Sequence, residues 1–275
     1  VNRLALISFD LDGVLQRNPF QGSRPDGVFG HIKRELAAYV KSASPEADAL
    51  EMVYREHHDR MYGNQMVACF DWDGIVAVVA ERLGAPLKLD VGALVDRYAA
   101  DPALCYLYPG AVECLQAMTD AGHTLVTTTN GYKRYQEPVL RQLGILHFFR
   151  AMISPEMAGA AKPETGIFRA AEAYGEPRIH IGDTLPHDVA GAKRAGWLAI
   201  YIIQPGAPGA TELPPELAAL PPCERPAHAT EWLGMRLEKE RRWHGHPPAE
   251  VHECIPDAIV TSLTEIPATV AGLLA

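Results

Sequence analysis

Short apolar runs separated by amphipathic stretches dominate this chain. Apolar runs stand at residues 4–9, 124–128, 151–154, 179–182 and 198–203, each of a length that suits a buried strand. Between the later runs, apolar residues return at helical spacing over 110–121, 135–143, 164–174 and 187–195. Pro163 stands where the first turn of a helix accepts proline, and Gly144, Gly175 and Gly196 stand where helices should stop. Strand and helix in alternation predict an α/β domain built on a parallel sheet.

Residues 16–108 break the alternation, with no convincing strand and helical stretches near 31–41, 45–62, 74–83 and 90–98. An all-helical insertion therefore follows the first strand and divides the chain into a core of 1–15 and 109–275 and a helical domain of 16–108. A second insertion, about 204–253, is rich in Pro and Gly and carries one helix at 230–242, before a returning strand at 258–261 and a last helix at 264–274.

With 275 residues, the chain can bury roughly three quarters of its unfolded surface, enough for a core domain and a smaller companion. Lys plus Arg is 25 against 34 for Asp plus Glu, a net charge of -9 that argues against nucleic acid as a partner. The one basic cluster, 236–242, is interleaved with Glu238 and Glu240 and reads as a solvated helix face. Cys69, Cys105, Cys114, Cys223 and Cys254 show no framework spacing and predict reduced thiols. No apolar stretch approaches the ~18 residues of a membrane helix, and the N-terminal run is too short for a signal peptide, so a soluble, cytoplasmic chain is expected. In the second insertion, Cys223, His228, His244, His246, His252 and Cys254 match no closed zinc spacing, and a packed surface excursion or a homodimer contact is expected there.

Chemistry enters where the first run ends, in Asp10-Leu11-Asp12-Gly13. Alternate residues of a strand point the same way, and Gly13 permits a turn that re-aims Asp12, so the two acids can converge on one polar site. A nucleophile beside a general acid/base suits that arrangement.

Phe9-Asp10-Leu11-Asp12-Gly13-Val14-Leu15 resembles the first motif of the haloacid dehalogenase-like (HAD) superfamily, and three further motifs of that family follow in its order. They are Thr127-Thr128-Thr129-Asn130-Gly131, Lys162-Pro163-Glu164-Thr165-Gly166-Ile167-Phe168, and Gly182-Asp183-Thr184-Leu185-Pro186-His187-Asp188. The resemblance implies a Rossmann-like core with a helical cap at 16–108, and the second insertion is a departure from it. It assigns phosphate binding to Thr129, Asn130 and Lys162, and a Mg2+ site to Asp10, the backbone carbonyl of Asp12, and Asp183. Asp188 is expected to support the metal shell or Lys162, while His187, between motif positions, reads as a surface histidine at a helix start. Phe70-Asp71-Trp72-Asp73-Gly74 copies the look of the first motif but lies in a helical stretch, where its acids would cap a helix or face the substrate.

The expected reaction is Mg2+-dependent hydrolysis of a small soluble phosphomonoester, a nucleotide or sugar phosphate. Asp10 attacks phosphorus, Lys162 neutralises the transferring group, and Asp12 protonates the leaving oxygen and then activates water. Asp12 favours phosphoryl transfer over dehalogenation, because departing halide needs no proton and the dehalogenase branch lacks this acid. A sugar-phosphate mutase and a non-catalytic phosphometabolite-binding protein are the alternatives; loss of a motif residue would favour the second, and none is lost. Arg60 and Trp72, with His57, His58, Asn64 and Asp71, are the candidates for recognising the leaving group.

Overall fold

The computed structural model describes residues 3–20, 27–207, 212–244 and 249–275. The strands are β1 (Leu6–Phe9), β2 (Gln16–Arg17), β3 (Tyr106–Leu107), β4 (Thr124–Thr128), β5 (Ala151–Ile153), β6 (Arg178–Gly182), β7 (Leu198–Ile202) and β8 (Ala258–Val260). Six of them form one sheet in the order β5-β4-β1-β6-β7-β8, every pair parallel. The expected α/β architecture with a parallel sheet is present. β1 is buried along its whole length, as suits a central strand covered on both faces.

The chain divides into two compact units, one of Val1–Gln16, Leu107–Thr129 and Ile145–Ala275, the other of Arg17–Tyr106 and Asn130–Gly144. Two of the four crossings of this division fall in the short pair β2 and β3, and the other two flank 130–144. The second unit is helical: α1 (Val28–Ala37), α2 (Pro45–Tyr62), α3 (Trp72–Arg82), α4 (Val91–Ala99) and, beyond α5 (Ala111–Asp120) of the sheet unit, α6 (Lys133–Gln142). α1 buries Val28, Phe29, Ile32 and Leu36, and α4 buries Val91, Leu94, Val95 and Ala99, the spacing of one helix face. These residues share a core with Ile75, Val79, Tyr135 and Val139. Tyr135 and Val139 are on α6, so 130–144, read from the sequence as core, goes with the helical unit.

In the sheet unit, Leu6, Val126, Phe168, Val189, Trp197, Tyr201 and Ile259 form the core, and Trp232, Leu233 and Leu237 of the helix Thr230–His244 belong to it. Over this helix the second insertion is packed, as expected, and it contributes to the core itself. Arg236 and Glu240, read as part of a solvated face, are buried, because they stand one turn apart beside Leu233 and Leu237. Two helices also differ from expectation. The stretch 164–174 is split into Thr165–Arg169 and a 3-10 turn Glu172–Tyr174, with Pro163 ahead of the first turn, and 187–195 begins as one π-helical turn, Leu185–Ala190. Among the described residues no helix is long and apolar enough to cross a membrane.

Candidate active site

Parallel strands present all their carboxyl ends on one side of the sheet. From β1 the chain builds outward through β4 to β5, then returns to β6 on the other flank of β1 and continues to β8. The strand order thus reverses between β1 and β6, where open α/β sheets leave a crevice for ligands. Asp10 follows β1 directly, its N–H donating to the Ile181 carbonyl at 2.8 Å. Phe9 is in register with Ile181, so Gly182 and Asp183 leave β6 beside Asp10. Thr129 follows β4, buried, with its N–H donating to the Ile153 carbonyl at 3.1 Å.

The turn after β1 is tight around Leu11, whose carbonyl accepts from the N–H groups of Val14, Leu15 and Gln16. Gly13 has φ 84°, and a Cβ there would lie 2.1 Å from Asp183 Oδ2. Glycine is needed twice over, for the left-handed backbone and for the close approach of the carboxylate. Gly182 is as crowded, since its Cβ would lie 2.2 Å from the Asp188 Cβ. Asp12 is half-buried, and its Oδ1 accepts from Gln16 Nε2 at 3.2 Å.

Lys162, 2 % exposed, donates to Asp10 at 2.8 Å and to Asp188 Oδ1 at 2.6 Å. Asp188 Oδ1 also accepts from His180 Nε2 at 3.0 Å, and Oδ2 accepts from the N–H and hydroxyl of Thr184 at 3.0 and 2.6 Å. Its two oxygens are thus engaged four times, which makes Asp188 the anchor of the lysine. The other face of His180 lies 3.1 Å from the Ser8 hydroxyl, which pairs with that of Thr128 at 2.7 Å. His180 and Ser8 escaped the sequence reading. A histidine between Ile179 and Ile181 in an otherwise apolar strand was the available signal, because a buried imidazole needs partners.

Carboxylate oxygens of Asp10, Asp183 and Asp188 lie within 4.8 Å of one another, with one lysine to offset them. Burial pushes Asp10 up to about 7, against the pull of Lys162, and raises Asp183 well above the usual range with the help of Asp10 and Asp188. Asp188 goes the other way: burial opposes its ionisation, but Lys162 and His180 overcome that and hold its carboxyl far below the ordinary value. Burial disfavours the charged form of Lys162, yet Asp10 and Asp188 raise its ammonium. His180 is lowered, chiefly by burial, against the pull of Asp188. Two carboxyls, the buried Asp10 and the half-buried Asp183, are left short of positive charge, the donor set that a hard divalent cation fits.

Asn130 is half-buried and is grouped with the helical unit. His187 is buried, 8 % exposed, and not on the surface, because the π-helical turn buries all six of its residues. Within the helical unit, Arg60 donates to Glu56 at 2.8 Å and to the Ala68 carbonyl at 3.0 Å. Trp72 packs edge-on to Phe29 and stacks on His57. Asp73 accepts from the Val91 N–H at 2.7 Å and from the Tyr135 hydroxyl at 2.7 Å, so the false copy of the first motif braces α3 against α4 and α6. His244 and His246 lie outside the described side chains. Among the described residues, Asp10, Asp183 and Asp188 form the one group of three or more metal-capable side chains.

The family model for haloacid dehalogenase-like hydrolases matches residues 4–196. The chain is 34% identical over 161 residues to a glyceraldehyde 3-phosphate phosphatase of Methanopyrus kandleri, covering 55% of this chain and 66% of that protein, just under two thirds of its length. It is 33% identical over 205 residues to a phosphoglycolate phosphatase of Haemophilus influenzae, covering 70% of this chain and 82% of that one. Among solved structures, a HAD phosphatase from Thermococcus onnurineus superposes with a TM-score of 0.54 at 25% identity, covering 74% of this chain and 88% of that one. With a family model that spans most of the chain, this protein belongs to the haloacid dehalogenase-like hydrolases.

Proposed function

We propose that this hydrolase is a Mg2+-dependent phosphatase that cleaves a small phosphomonoester through an aspartyl phosphate on Asp10. The observation that carries the reading is Asp10 held 2.8 Å from Lys162 at the strand-order reversal, with the carboxylates of Asp183 and Asp188 alongside. A phosphomonoester dianion is repelled by three carboxylates and one ammonium. Bound by Asp10, Asp183 and the Asp12 carbonyl, Mg2+ would supply the missing positive charge and withdraw electron density from the phosphoryl oxygens.

The side chains do the rest. Asp10 attacks phosphorus in line with the departing oxygen; Lys162, fixed by Asp188, neutralises the transferring group beside Thr129 and Asn130. Asp12 gives its proton to the leaving alkoxide, then takes one from the water that opens the acyl phosphate. The named relatives act on two- and three-carbon phosphates, which favours small sugar-phosphate-like esters as first substrates to try. The helical unit is assigned the choice among them, since every group of the chemistry belongs to the other unit or to its border.

Hydrolysis of an aryl phosphate is expected to disappear in chelator and return with Mg2+, and a phosphate-release screen over phosphoglycolate, glyceraldehyde 3-phosphate, sugar phosphates and nucleotides should find the substrate. Full turnover in metal-free buffer would overturn the reading.

Gly13→Ala should fail in a characteristic way. A methyl at that φ costs ~1–2 kcal/mol, and it meets the Asp183 carboxylate. The melting temperature is expected to fall, and the Mg2+ needed for half-maximal rate to rise by roughly tenfold or more. A normal Mg2+ requirement in the folded variant would separate Gly13 from the metal site.

A further inference from the structure

The helix Thr230–His244 belongs to the second insertion, outside the residues matched by the family model. It nevertheless reaches the loop that carries Asp183. Glu240 Oε2 accepts from the backbone N–H of Leu185 at 2.7 Å, and Leu185 opens the turn that ends with Asp188 two positions from its finish. A first-turn N–H has no carbonyl within its own helix, so this carboxylate supplies the partner.

Glu240 is itself fixed. Its Oε1 accepts from the Tyr201 hydroxyl at 3.0 Å and from Arg236 Nη2 at 3.0 Å, and Arg236 donates to the Tyr201 oxygen from Nε and Nη2 at 3.1 and 2.9 Å. Arg236, Glu240 and Tyr201 are all buried. A buried carboxylate is expensive unless fully paired, and hydrophobic residues would fill this space at no such cost. The network therefore asks for a role beyond packing. Its neighbour supplies one: the Leu185 peptide that Glu240 holds stands two residues after Asp183.

We propose that Glu240 is a positioning residue for the divalent cation: braced by Arg236 and Tyr201, it fixes the Leu185 peptide and holds the 183–188 segment in its ligating arrangement. The proposal deepens the metal-dependent reading above and depends on it. It also gives the second insertion a purpose, as an internal brace for the metal loop.

The test is Mn2+ binding at pH 8 without substrate, with free Mn2+ counted by its electron paramagnetic resonance signal. Glu240→Gln is expected to raise the Mn2+ dissociation constant by roughly 10- to 100-fold, while KM for an aryl phosphate at saturating metal stays put. Leu237→Ala, a core truncation in the same helix, should lower the melting temperature and leave Mn2+ binding unchanged, which separates positioning from bulk stability. If Glu240→Gln does not fold, Tyr201→Phe removes only the bracing hydroxyl and is expected to weaken Mn2+ about threefold. Wild-type affinity in Glu240→Gln, or in Tyr201→Phe where that variant is used, overturns the proposal. An equal loss in Leu237→Ala overturns it too. A wild-type protein that binds no Mn2+ instead overturns the metal-dependent reading itself.

Discussion

Asp10→Asn is expected to reduce turnover of an aryl phosphate by on the order of 10⁴-fold or more and to leave no labelled phosphate on the protein. The amide keeps the shape of the side chain but is a poor nucleophile and a weaker metal ligand. Loss of activity alone would not distinguish a missing nucleophile from a damaged fold, and stability supplies the second readout. Burial lifts the Asp10 carboxyl from 3.8 to about 7 despite Lys162. A raised acid favours folding while protonated, so its contribution is present below the unfolded value and is lost as the pH climbs through about 7. At pH 8 in chelator the wild-type protein carries the whole cost of that ionised group, and Asp10→Asn does not. The variant should then melt no lower than wild type while being inert. Turnover within 100-fold of wild type by a folded Asp10→Asn would remove Asp10 from the chemistry.

The sheet was legible because its strands are covered on both faces and so appear as unbroken apolar runs, and the acids were legible because they stand where those runs stop. What the sequence hid depends on partners far along the chain. Arg236 and Glu240 are an i,i+4 pair whether they face water or the interior; only Tyr201 and the Leu185 peptide decide it. His187 looked exposed because it is polar at a helix start, but an ordinary α-helical count does not foresee a π turn that buries six consecutive residues. The helix α6 follows the second core strand in sequence, yet its Tyr135 and Val139 complete the core of the helical unit. Periodicity shows that such a helix has an apolar face, and says nothing of which body receives it. His180 lies between these cases, since an imidazole inside an apolar strand announces a buried network without naming its members, Ser8 and Asp188.

Asp12→Asn should separate the two carboxylates of the first motif by stage of reaction. Asp12 is half-buried, with Gln16 Nε2 3.2 Å from its Oδ1, whereas Asp10 is buried and paired with Lys162. A partly exposed carboxyl suits a proton carrier beside a buried nucleophile. The amide keeps the size of the side chain and leaves the backbone carbonyl in place, so metal binding should persist. Removing the proton donor and base is expected to slow hydrolysis of an alkyl phosphate by about 10²- to 10⁴-fold. An aryl phosphate needs little protonation as it leaves, and the loss in its first step should be smaller. The second step still lacks the base that activates water. With an aryl substrate, phosphorylation is then expected to outrun hydrolysis, giving a burst of phenol and labelled phosphate that stays on Asp10. The burst should vanish in the double variant with Asp10→Asn, which assigns the trapped phosphate to that carboxylate. Near wild-type turnover of an alkyl phosphate by Asp12→Asn would remove Asp12 as the acid/base. Equal losses on both substrates, with no phosphoenzyme, would show that Asp12 serves the site by its charge and not by its proton.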